Sequence, residues 1–132
     1  MSQSAIENSL CETDILIVGG GLVGGCLAAA LADTPLRVCI VDHAGQEIER
    51  STECDGRAFA ISLSNKKLLD AVGLWDMLHD TAAPIRDIRV SDGSSRFFLH
   101  FDHKEVGDEP MGFMVENRHL RQAISALLKK KG

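Results

Sequence analysis

The chain has 132 residues, 45% of them hydrophobic, and a formal net charge of -5 at pH 7. That length fits one globular unit with a modest core, and the acidic balance excludes nucleic acid as the expected partner. No uninterrupted apolar stretch reaches the roughly 18 residues that a membrane-spanning helix requires. Residues 1–13 lack the basic start and apolar centre of a secretory signal and read as a frayed polar leader.

Residues Asp14 to Gly24 read DILIVGGGLVG. Ile15 to Val18 is the continuous aliphatic run of a parallel strand buried on both faces. It breaks into a G-x-G-x-x-G pattern at Gly19, Gly21 and Gly24. Gly19 serves the tight turn, Gly21 the close approach of backbone to a pyrophosphate, and Gly24 the packing of helix on strand. Leu22 to Ala32 reads as a helix apolar on nearly all sides, with Gly25, Ala28 and Ala29 small enough to lie close against a sheet. Pro35 stops it, and Arg37 to Val41 makes a second apolar strand with Asp42 at its carboxyl end.

Asp42 follows Gly24 by 18 positions, near the spacing of roughly 20 at which a carboxylate accepts hydrogen bonds from an adenosine ribose. Strand, glycine turn, helix, strand and acid occur in the order of a dinucleotide-binding βαβ unit. Helix amides and the helix dipole would hold the phosphates without a lysine, and no P-loop pattern is present. NAD and FAD both satisfy this fingerprint. No arginine follows Asp42 until Arg50, so a ribose carrying an extra phosphate would meet like charge, which disfavours NADP here. The alternative is that the glycines serve packing alone and Asp42 is a solvated acid.

Further along, Ser64 to Val72 reads as a helix with Leu68, Leu69 and Val72 inward and Gly73 as its stop. Leu74 to His79 is a short amphipathic turn offering Trp75 and Leu78 to the core. After Pro84 the period becomes two: Ile88 and Val90, a turn at Asp92 and Gly93, then Phe97, Leu99 and Phe101, which predicts an antiparallel hairpin. Met111 to Val115 returns the chain to a final helix. There Asn117 is a candidate N-cap, Leu120, Ile124, Leu127 and Leu128 face inward, and Lys129 to Lys131 close the end. Cys11, Cys26, Cys39 and Cys54 contain no C-x-x-C pair and read as reduced thiols. His100 and His103 lack the further ligands a metal needs, and no G-x-S-x-G elbow points to a hydrolase.

Three strings carry more specific information: DGRAFAIS at Asp55 to Ser62, GLW at Gly73 to Trp75 and VENRHLRQAI at Val115 to Ile124. With the glycine fingerprint they resemble the FAD-dependent aromatic hydroxylases of ubiquinone biosynthesis, the polyprenyl-methoxyphenol hydroxylases. That group lies within the flavoprotein monooxygenases typified by para-hydroxybenzoate hydroxylase. The resemblance implies an α/β fold: a Rossmann-like FAD-binding βαβ unit with part of an antiparallel substrate-domain sheet, incomplete relative to the full family fold. The expected division is a leader over 1–13, the FAD-binding unit over 14–84, substrate-domain strands over 85–115 and a returning helix over 116–132.

The resemblance also implies roles for two arginines. Arg57 would contact FAD, as its guanidinium fork suits a pyrophosphate; the plainer alternative is a surface pair with Asp55. Arg118, at the start of the last helix, would lie close to the cofactor, or else face solvent with Gln122. The activity implied is hydroxylation of an aromatic, quinone-precursor-like ring with NADH or NADPH as electron donor and molecular oxygen. A cytoplasmic location is expected, and a lipid-like substrate or a biosynthetic complex would bring peripheral contact with the inner membrane. Family members are much longer, so the chain is expected to be an N-terminal portion, inactive alone. Two other readings stay open: an NAD-binding dehydrogenase domain, and a noncatalytic dinucleotide-binding fragment.

Overall fold

A computed structural model of the chain describes residues 12–43 and 56–131. Cys11, Cys54, Asp55, Arg50 and all of the expected leader before Glu12 lie outside the described residues. The chain opens with strand β1 (Ile15–Val18), helix α1 (Leu22–Leu31) and strand β2 (Val38–Val41). β1 and β2 pair in parallel, Ile15 beside Val38 through Val18 beside Val41, which is the βαβ unit expected from the apolar runs. β1 is not buried on both faces, however: of its residues only Ile17 is buried, while Leu16 and Val18 are exposed. Its starting edge is held by Asp14, whose carboxylate accepts from the Arg37 backbone N–H at 2.8 Å and from the guanidinium Nη2 at 3.1 Å. Glu12 and Thr13 join the same arginine, Glu12 by an ion pair and Thr13 by donating its hydroxyl to the Arg37 carbonyl.

Next come β3 (Ala58–Ser62), α2 (Leu63–Ala71), two short 3-10 turns, β4 (Ala83–Ile85), the hairpin β5 (Asp87–Ser91) and β6 (Phe98–Asp102), then β7 (Gly112–Glu116) and α3 (Asn117–Lys131). β7 is the centre of a three-stranded antiparallel sheet ordered β3-β7-β4. The hairpin is a separate two-stranded sheet in which Ile88 faces Phe101 and Val90 faces Leu99. Its ends carry local polar contacts: His100 Nε2 lies 2.8 Å from Asp87 Oδ1, and the His103 ring Nδ1 lies 3.1 Å from the Arg86 carbonyl.

The core lies where α1, α2, the 3-10 turns, β7 and α3 meet. Ala29, Leu69, Leu74, Trp75, Leu78, Val115, Leu120, Ala123, Ile124 and Leu127 are buried together there. Trp75 packs edge-on against Phe113, with ring centroids 4.9 Å apart, the core role its sequence position suggests. α2 starts one residue earlier than its periodicity suggests, because Ser62 caps it by accepting from the Asn65 backbone N–H at 3.2 Å. Gly73 ends that segment with φ +81°, a conformation that suits glycine.

Candidate functional site

The glycine turn between β1 and α1 hangs from the carboxyl end of β2. The Gly19 N–H donates to the Val41 carbonyl at 2.8 Å, and the Gly20 N–H donates to Asp42 Oδ2 at 2.5 Å. Gly19 takes φ +101°, where any side chain would be strained. A Cβ at Gly24 would fall 1.9 Å from the Gly19 carbonyl oxygen and 3.2 Å from Ile17 Cγ2, so this glycine is what lets α1 close onto β1. At Gly21 an added Cβ would meet nothing within 4 Å. Gly21 is also the N-cap of α1, with no side chain capping the first turn. The three fingerprint glycines thus differ in their surroundings. Two shape the turn, and one leaves it open to an anion facing uncapped helix amides.

α3 runs alongside α1 in the same direction. Gly25 sits against Ile124, since a Cβ there would come within 2.4 Å of Ile124 Cγ2. At the far ends Lys131 Nζ donates to the Ala29 carbonyl at 3.4 Å and reaches Asp33. Carrying that register back to the start of α1 sets Leu120 level with the N-cap Gly21. The amino ends of two helices therefore share one end of the fold, where their dipoles add.

Arg57 joins them there. It leads into strand β3, because residues 58–62 find a partner in β7. Its carbonyl accepts from the Asn117 N–H at 2.9 Å. Arg118 is partly exposed and lies by Glu116, Oε2 to Nε 2.7 Å, in an ion pair without hydrogen-bond alignment. Asn117 is not the cap of α3 but its first residue, and it is 2% exposed. The sequence reading did not single out Gly20, whose amide holds Asp42, nor the contact between Asn117 and Arg121. A polar residue followed four positions later by arginine was the one visible sign of that contact.

A cleft of about 460 Å³ lies elsewhere, at the base of the hairpin, lined by Arg86, Asp87, Asp102, His103, Lys104 and Asp108 among others. Its charges are of both signs, and the Lys104 backbone N–H helps hold the Asp102 carboxyl below its ordinary range. It contains none of the predicted site residues, so chemistry and geometry favour the glycine turn instead. An FAD diphosphate fits that turn on two counts: the open position at Gly21 and the uncapped amides of α1.

Comparisons with known proteins identify the family. The family described as FAD binding domain matches residues 12–118. The ubiquinone hydroxylase UbiL of Rhodospirillum rubrum is 53% identical over 111 residues, covering 84% of this chain and 26% of that protein. The 3-demethoxyubiquinol 3-hydroxylase of Escherichia coli is 35% identical, covering 85% of this chain and 29% of its own length. Among solved structures, p-nitrophenol 4-monooxygenase PnpA from Pseudomonas putida superposes with a TM-score of 0.69 at 24% identity, over 89% of this chain and 29% of that one. The flavin-dependent monooxygenase PieE, solved in complex with FAD and substrate, gives 0.64 at 16% identity, over 90% and 22%. The chain thus spans about a quarter of the length of the relatives it matches. From Glu12, ahead of β1, to Arg118 in the first turn of α3, the chain belongs to the FAD binding domain family.

Proposed function

We propose that this chain supplies the adenosine and diphosphate end of the FAD site in an aromatic-ring monooxygenase acting on a quinone-precursor-like substrate, with NADH or NADPH as electron donor. The observation that carries the reading is the glycine turn. It is open at Gly21, uncapped at the start of α1 and bordered by Asp42. Gly19 and Gly24 shape the turn, and Gly21 admits the diphosphate. Asp42, already holding the Gly20 amide, accepts from the adenosine ribose. Arg57 and Arg118 add positive charge at the same end of the fold.

FAD, when bound, supplies the two-electron chemistry that allows molecular oxygen to hydroxylate an electron-rich ring. The residues of this chain bind and orient it. Relatives named as ubiquinone hydroxylases support the aromatic, quinone-like class of substrate. Among the described residues no helix is long and apolar enough to cross a membrane. A cytoplasmic protein that meets a lipid-like substrate at the inner-membrane surface, alone or within a biosynthetic complex, accommodates both points.

Titrating the protein separately with FAD and with NAD, read by flavin fluorescence and calorimetry, tests the proposal. Binding of FAD and not NAD is the expected result. NAD alone would select a dehydrogenase domain, and neither would leave a noncatalytic module.

A further inference from the structure

Among the described residues Asn117 is the one buried polar side chain in the core. Ile124 faces α1, and two helical turns earlier the repeat brings Asn117 back to the same stripe. Its carboxamide is therefore enclosed on the α1 side of α3, at the end that carries the glycine turn. A buried amide needs partners. Oδ1 accepts from Arg121 Nε at 3.4 Å, while the Asn117 backbone N–H ties in Arg57.

Arg121 is half-buried, and among the described residues no carboxylate lies within ion-pair distance of its guanidinium. Arg118 by contrast has Glu116 at 2.7 Å. A partly desolvated cation without a counter-ion is unfavourable, and an incoming anion offsets that cost. The register of α3 on α1 puts Arg121 level with Leu22, one residue past the open glycine.

We propose that Arg121 contacts the diphosphate of the dinucleotide and that Asn117 is the positioning residue that aims it. The inference rests on the FAD reading above. Its test uses ADP, which shares the adenosine and diphosphate with FAD, titrated by calorimetry at low and at high salt. Arg121→Gln is expected to weaken ADP about tenfold, the size of one lost charge-assisted hydrogen bond. It should also flatten the salt dependence, which a purely structural residue would leave alone.

Asn117→Ala should weaken ADP in the wild-type background and have no further effect once Arg121 is Gln, the coupling expected of a residue acting through another. Where circular dichroism shows Arg121→Gln misfolded, Arg121→Lys carries the test. It keeps the charge without the planar fork and should lose about threefold. Wild-type affinity and salt slope in the folded Arg121 variant overturn this inference alone. A wild-type protein that binds neither FAD nor ADP overturns the FAD reading and this inference with it.

Discussion

Gly21 and Gly24 stand three positions apart and fail for opposite reasons when replaced. Nothing in the protein occupies the space beside Gly21, and its φ of -66° suits any residue. Gly21→Val should therefore fold and melt like wild type while FAD affinity drops by more than about tenfold, because the added side chain stands where the diphosphate approaches. Gly24→Ala forces a methyl group against the Gly19 carbonyl. It should lower stability by about 1–3 kcal/mol in a denaturant titration, the usual cost of overpacking, before any ligand is added. If both variants lost stability equally, the turn would be closed at Gly21. These glycines and Asp42 were legible in the sequence because the turn is local and the acid lies at a fixed distance along one βαβ unit. Arg121 was not, since an arginine on a helix looks alike whether it is solvated or held by a buried amide. Burial of Asn117 is a property of the assembled α1 and α3.

At the scale of elements, the clasp between Asp14 and Arg37 fixes the register of β1 on β2. The Arg37 side chain, then its backbone N–H, hold the Asp14 carboxyl below the usual carboxylate range. A carboxyl lowered in the folded state contributes stability above its unfolded pKa and loses it as pH falls through the folded value. The difference in melting temperature between wild type and Asp14→Asn should therefore be fully present at neutral pH and shrink below roughly pH 4. A gap that grew on acidification would contradict the clasp. Elements built on local periodicity, such as β1, α1 and the β5–β6 hairpin, were readable in advance. β3 was not recognised as a strand, because what makes Ala58 to Ser62 extended is its pairing with β7, 50 to 58 residues along the chain. The same long-range pairing explains the start of α3: Glu116 still sits in the ladder opposite Ala58, so the helix begins only at Asn117.

For the molecule as a whole, the hairpin presents an apolar face that the described residues leave uncovered: Val90 is 51% exposed and Leu99 66%. A contiguous face of this kind promotes association. The isolated chain should bind a hydrophobic fluorescent dye and self-associate on sedimentation, and Leu99→Lys should reduce both without lowering FAD affinity, since the glycine turn lies elsewhere. Unchanged dye binding in that variant would mean the face is covered in solution. The joint between Lys131 and the last turn of α1 has a different kind of consequence. Fastened at one extremity by that joint, the two helices leave their amino ends to be bridged by a ligand. A diphosphate lodged between those ends would rivet the open side, so cofactor capture should stiffen a stretch of chain that runs to its last few residues.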